Sequence, residues 1–292
     1  MAKSNIIPLN KQKQGLNALL VKLFIRVFSN SRQDRQITDE VKLKKALGDG
    51  AGKWVKYKLP PQAIEPITKF CGEVRTWHYN RTSPWDDGYR LLGGKVNAKY
   101  AQQMQEFKTR FNALVDNFIK AYPGYVAESK IMHGKTWEQS DYPSASMIKM
   151  MFGIEAEYFP VPAPDHFNVE MKELYGNALI SITEKKIGEA VQDAWERLLE
   201  PVKSMAEKLG NPKTIFRDSL VENIKEMIEL MPSLNLTDDK KLTDAAAAIQ
   251  QDLAGLNPET LREDKVVRAD VAKKAAALAA RFGQLGKRKL AA

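Results

Sequence analysis

The chain has 292 residues, 43% of them hydrophobic and 28% charged, which is enough for one large domain or two small ones and too apolar for wholesale disorder. A single cysteine, Cys71, excludes an internal disulfide framework, and without a CxxC pair no structural zinc site is implied, which suits a reducing cytoplasm. The net charge of +9 is unevenly spread: residues 1–60 hold thirteen Lys/Arg against four Asp/Glu, residues 265–292 hold eight against one, and the middle is acidic.

In chain order, the first fifteen residues, with Lys3, Lys11 and Lys13, read as a flexible basic arm. The apolar stretch 16–28 is broken by Lys22 and Arg26 and is too short to span a bilayer, so no membrane insertion is expected. Over 21–28, Val21, Leu23, Ile25 and Val27 alternate with Lys22, Phe24, Arg26 and Phe28, and period two with β-branched residues predicts a strand. Thr38 before Asp39 and Glu40 reads as a helix start, with Gly48-Asp49-Gly50 ending that short helix. Residues 53–59 alternate again, Val55, Tyr57 and Leu59 on one side, and form a second strand able to pair with the first.

Pro60 and Pro61 open a helix whose apolar stripe is Ile64, Ile67, Phe70, Cys71, Val74 and Trp77. Residues 79–96 have no period and many turn formers and read as a structured loop. The clearest helix follows: Tyr100, Met104, Phe107, Phe111, Leu114, Val115, Phe118 and Ile119 recur at three- and four-residue steps, with a stop expected at Tyr122-Pro123-Gly124-Tyr125. Short helices are predicted over 126–134 and 144–152, and a strand over 154–159.

From Asn177 onward the pattern is helical: a long helix kinked or broken at Pro201, then 202–209, 215–231, 239–254 and an alanine-rich basic helix over 262–282. The expected fold class is therefore α+β and predominantly α-helical. A small N-terminal antiparallel β element precedes a multi-helix body and a long-helix C-terminal part. The expected division is a basic arm over 1–15, an α+β domain over 16–175, a helical region over 176–283 and a basic tail over 284–292.

Several motifs occur together in order: Ser83-Pro84-Trp85-Asp86-Asp87-Gly88-Tyr89-Arg90-Leu91-Leu92, the aromatic helix ending in Tyr122-Pro123-Gly124-Tyr125, Asp141-Tyr142-Pro143, and Tyr158-Phe159-Pro160-Val161-Pro162 with Asp165-His166-Phe167. Over roughly 15–175 the chain thereby resembles a family of bacterial, plasmid and bacteriophage proteins known only as a domain of unknown function. The resemblance implies a mobile-element context, sometimes beside an AAA+ ATPase and a von Willebrand-type partner resembling cobalt-chelatase subunits. It implies no catalytic residue.

Two groups of residues are candidate sites. Asp86 and Asp87, with His78 nearby in sequence, are candidate ligands for a hard divalent metal, which would need more oxygen donors. The alternative for the same residues is a tight Asp-Gly turn in which Trp85 plugs the core and Asp86 caps a backbone donor. Asp165 beside His166 and the remaining histidine, His133, read as structural, and Cys71 reads as a buried small hydrophobe. There is no P-loop, GxGxxG, GxSxG elbow or HExxH pair, and no cofactor is expected.

The second group is the basic, aromatic N-terminal segment. If the two strands pair, Lys22 and Arg26 share a face with Phe24, Phe28, Trp54, Lys56 and Lys58, beside Lys11, Lys13, Arg32, Arg35 and Tyr57. Cations would hold phosphates and rings would stack unpaired bases. Lys273, Lys274, Lys287, Arg288 and Lys289 would extend that surface from the other end. The leading expectation is a non-enzymatic accessory protein of phage- or plasmid-type DNA metabolism that binds nucleic acid with little sequence preference. The alternative is an adaptor for an AAA+ ATPase or another protein, self-association included, and a metal-dependent enzyme is the third. Lysines guarding strand edges is the plain structural alternative.

Overall fold

A computed structural model describes residues 18–163 and 169–286 and is 69% helical, with a small antiparallel sheet towards the N-terminal side, as the α+β expectation required. The elements in order are β1 (Ala18–Arg26), β2 (Ser31–Gln33), α1 (Arg35–Lys45), β3 (Val55–Tyr57), α2 (Pro61–Arg81), β4 (Ser83–Asp86), β5 (Tyr89–Gly93), α3 (Asn97–His133), α4 (Ala145–Met150) and β6 (Gly153–Pro160). There follow α5 (Val169–Gly210), α6 (Ser219–Leu234), α7 (Lys240–Leu253), α8 (Pro258–Glu263) and α9 (Lys265–Gly286). One sheet has the order β4-β5-β1-β6, and a separate ribbon pairs β2 with β3.

Several expectations are corrected. The strand at 21–28 is β1, and it pairs with β5, Leu20 opposite Leu91, not with 53–59. The reason is apolar burial: Leu20, Val21, Leu91 and Leu92 all leave water along that pairing, whereas β3 offers Lys56 on one face and half-exposed Val55 and Tyr57 on the other. Residues 79–96 are not a loop but the end of α2 and the β4–β5 hairpin. Asp87 (φ 43°) and Gly88 (φ 81°) make its two-residue turn, Asp86 Oδ1 accepts the Asp87 amide at 3.1 Å, and Trp85 packs half-buried against Leu20 and Leu91.

The α3 helix does not stop at Tyr122-Pro123-Gly124-Tyr125 but runs on to His133. Proline removes one amide, and the apolar stripe continues past it: Phe118 meets Tyr122 and Tyr125, and the Tyr122 hydroxyl donates to Pro143 O at 2.9 Å. Finally, Asp34 rather than Thr38 caps α1, its Oδ1 accepting the Ile37 amide at 3.0 Å. Pro201 likewise lies inside an unbroken α5, and the basic helix predicted over 262–282 is split at Asp264 into α8 and α9.

Contacts among the described residues divide the chain into two compact units: residues 18–22, 78–100, 158–163 and 169–286 belong to one, and 23–77 with 101–157 to the other. In the first, α5 packs most extensively on α9, with Ala194 and Ala275 allowing close approach and Leu198, Met205, Ile224, Leu234, Ile249 and Leu253 filling the core. Arg268 closes the end of α5 by donating to the carbonyls of Lys208, Leu209, Asn211 and Thr214. In the second unit α2 and α3 run antiparallel, Gln62 against Glu128, Glu73 against Arg110, and Phe70 and Trp77 edge-on to Phe107. Cys71 is buried in this unit, which pushes its thiol pKa up.

Two glycines give opposite expectations. A Cβ on Gly93 would lie 2.9 Å from Ser233 O, so Gly93→Ala should cost about 1–3 kcal/mol by overpacking. Gly124 sits inside α3 with nothing within 4 Å of such a Cβ, and Gly124→Ala should gain about 0.5–1 kcal/mol. Urea unfolding of both variants checks this; the reverse ranking would contradict the packing of β5 on α6.

Candidate nucleic-acid interface

The β2–β3 ribbon is two short strands, and side-chain bonds complete what its ladder lacks. Asn30 accepts the Leu59 amide at 2.8 Å and donates to Leu59 O at 3.0 Å, while the Lys58 amide reaches Asn30 O at 2.7 Å. At the other end the Asp34 amide donates to Trp54 O and the Trp54 amide to the Thr38 hydroxyl, both at 3.0 Å. The ribbon is thereby tied to the first turn of α1.

Beneath it lies a nearly dry ion cluster. Period two turns Lys56 to the face opposite Val55 and Tyr57. Its ammonium lies 3.0 Å from Asp141 Oδ2, 3.3 Å from Thr136 O and 3.9 Å from Asp34 Oδ2, and the Lys56 and Asp141 side chains are only 8% and 3% exposed. Arg32 also donates to Asp141 and lies 3.7 Å from Glu138. Burial alone would raise the Asp141 pKa, but Lys56 and Arg32 outweigh it and hold the carboxyl below its ordinary value. His133 Nε2 donates to Tyr57 O at 2.7 Å, and Tyr142 donates to Lys58 O at 2.8 Å. With Lys56 drawn inward, the outer face of the ribbon carries Val55 and Tyr57, 52% and 54% exposed, and Trp54, just before the strand, is 51% exposed.

Beside Trp54 the 50–53 loop and α1 enclose an open cleft of about 240 Å³. Arg35, Lys42 and Lys53 line it with Gln33, Thr38 and Asp39, and Lys42 reaches the fully exposed Asp49 at 3.2 Å. Lys42, Lys44 and Lys45 also sit at the C-terminal end of α1, where the helix dipole favours cations.

The structure sorts the residues singled out from sequence. Trp54, Tyr57 and Arg35 are each exposed. Phe28 is buried and carries the Lys58 ammonium over its ring at 4.9 Å, so neither is a free stacking or phosphate group. Lys56 is internal and Arg32 is held by Asp141. The proposed common face of Lys22, Phe24, Arg26, Phe28, Trp54, Lys56 and Lys58 does not form, because 21–28 and 53–59 belong to different sheets. Phe24 is 37% exposed on β1, Arg26 packs against Gly153, and Lys22 lies over the Tyr89 ring at 4.6 Å. Lys273 and Lys274 are exposed on α9, in the other unit, Lys274 paired with Asp270 at 2.8 Å. Lys11, Lys13, Lys287, Arg288 and Lys289, with the 1–15 arm, Asp165 and His166, lie outside the described residues. Sequence reading missed Asp141 as the anchor; nothing local marks it, since its partners are 85 or more positions away.

The metal candidates are placed apart in character. Asp86 and Asp87 are exposed on the hairpin turn, whereas His78 is 1% exposed at the end of α2. Its Nδ1 shares a hydrogen bond with the Tyr100 hydroxyl at 2.6 Å, and burial, aided by Arg90, lowers its pKa from 6.5 to about 4. Among the described residues no group of three or more His, Cys, Asp or Glu converges as a metal site. Around His78 the last carbonyls of α2 are capped by two arginines: Arg90 donates to Thr82 O at 2.6 Å and Arg197 to Tyr79 O at 3.0 Å. No helix among the described residues is long and apolar enough to cross a membrane. Comparison with protein-family models, with curated proteins and with solved structures finds no match for this chain.

Two outcomes follow from these clusters. Asp141→Ala leaves Lys56 buried without its partner and should cost about 3–5 kcal/mol in urea unfolding, whereas the Lys56→Met, Asp141→Leu pair should recover most of that loss. His78 is neutral when folded, so its contribution is whole above pH 6.5 and falls by about 1.4 kcal/mol per pH unit between 6.5 and 4 as the unfolded chain takes up a proton. A His78→Gln variant should lack that slope; equal slopes in both proteins would assign the acid loss to another group.

Proposed function

We propose that this chain binds single-stranded nucleic acid, with little sequence preference, through the β2–β3 ribbon and α1. The observation that carries the reading is two half-exposed rings, Tyr57 on β3 and Trp54 just before it, in one short segment with Arg35, Lys42 and Lys53, which line a single cleft. A protruding ring stacks on an unpaired base and has no place in an intact duplex stack, and neighbouring cations hold the backbone. The residues from 31 to 58 hold eight Lys/Arg against four Asp/Glu, so this segment remains basic after its internal pairs are counted. The phage- or plasmid-type context implied by the resemblance over 15–175 fits an accessory role in DNA metabolism. In this reading Phe28 and Lys56 are structural, and Trp54, Tyr57, Arg35, Lys42 and Lys53 make the contacts.

Fluorescence anisotropy with a labelled oligothymidine and with a duplex of the same length tests it. The single strand should bind more tightly, and Trp54→Ala or Tyr57→Ala should weaken it about tenfold, the scale of one lost stack. The logarithm of affinity should fall with the logarithm of salt at a slope of about −2, as two or three phosphate contacts require. No binding of either nucleic acid at about 50 mM salt, where phosphate contacts are strongest, rejects the reading.

A further inference from the structure

We infer that the cleft between α1 and the 50–53 loop is a pocket for a phosphomonoester. In the nucleic-acid reading, on which this part of the inference rests, it takes the phosphorylated end of a strand whose terminal base stacks on Trp54. The charge of the lining points to that ligand. Arg35, Lys42 and Lys53 face it with one carboxylate, Asp39, a surplus of two positive charges. A terminal phosphate carries about −1.5 to −2 at neutral pH, whereas a backbone diester carries one negative charge.

The other carboxylates nearby are already engaged or weakly held. Asp34 caps α1 through Oδ1 and turns Oδ2 towards Lys56 at 3.9 Å. Asp49 holds Lys42 at 3.2 Å but is fully exposed, and an ion pair in water is readily exchanged for a dianion. The N-terminal amides of α1 are not needed: the Ile37 amide is taken by Asp34 Oδ1 and the Thr38 amide by Asp34 O. Capture therefore falls to the side chains, with the Arg35 guanidinium suited to a two-oxygen grip and the lysines to point-charge contacts.

Geometry links this pocket to the ring. Lys53 and Trp54 are consecutive, their Cα atoms about 3.8 Å apart. The Trp54 backbone is fixed on both sides, its amide to Thr38 in the cleft wall and its carbonyl to the Asp34 amide. Lys53 in the cleft lining and the half-exposed Trp54 are thus neighbours on one fixed stretch of backbone.

The test compares one oligothymidine in three forms, 5′-phosphorylated, 3′-phosphorylated and unphosphorylated, by anisotropy on the full chain. One phosphorylated form should bind about tenfold tighter than the bare strand, the scale of a charge-assisted contact. Arg35→Glu and Lys53→Glu, both at exposed positions, should erase that difference while circular dichroism stays that of the parent. Equal affinity for all three forms overturns the pocket and leaves the single-strand reading standing. If no oligonucleotide binds, that reading fails and titration calorimetry with thymidine monophosphate judges the pocket alone. Binding lost in Lys53→Glu supports a pocket for a free mononucleotide, and absence of heat overturns it.

Discussion

The buried contact between Lys56 and Asp141 decides which side of the ribbon faces water. A lysine drawn inside must be neutralised, and here a carboxylate that is itself enclosed does so, with Arg32 and Asp34 completing the cluster. Alternation along β3 then leaves Val55 and Tyr57 no choice but the outer face. This inverts the usual arrangement, in which the charged residue of an amphipathic strand is outside. The cost of desolvating the pair is set against the gain of a fixed ribbon; such pairs specify geometry more than they add stability.

The same logic orders the rest of the second unit. Asp141 closes the second of the 3₁₀ turns beyond α3, so the length of that helix positions the anchor. Had α3 ended at Pro123, the segment carrying Asp141 would have started ten residues earlier and the ribbon would have lost its partner. In the other unit the comparable role belongs to arginines. Arg90 and Arg197 hold the end of α2 and Arg268 the end of α5, each spending its fork of donors on backbone carbonyls. Asp193 pairs with Arg197 at 3.0 Å, and burial raises its pKa despite that partner. These arginines are part of the architecture, so a count of basic residues overstates the cations available to a ligand.

That overstatement explains where reading from sequence went astray at the candidate site. Period and composition located β1, β3, α2, β6 and the later helices, because burying one face of an element imposes a spacing on its own residues. The Asp87-Gly88 turn was legible for a similarly local reason, since only residues tolerating positive φ close a two-residue hairpin. Trp54, Tyr57 and Arg35 stood out as candidates because rings and cations lie within one short segment. Phe28 and Lys56 were misassigned because their partners are distant: the Lys58 ammonium that covers Phe28 is 30 positions away, and Asp141 lies 85 positions from Lys56.

The amino-acid order by itself determined the class, mostly helical with a small antiparallel sheet, and placed the candidate interface residues in the basic N-terminal segment and the basic C-terminal end, since periodicity and local charge act over a few residues. Strand partnership, the passage of α3 through Pro123 and the inward turn of Lys56 were decided only by tertiary structure. Each depends on a free-energy difference between burying one surface and burying another, and the competing surface is supplied by residues far away in the chain.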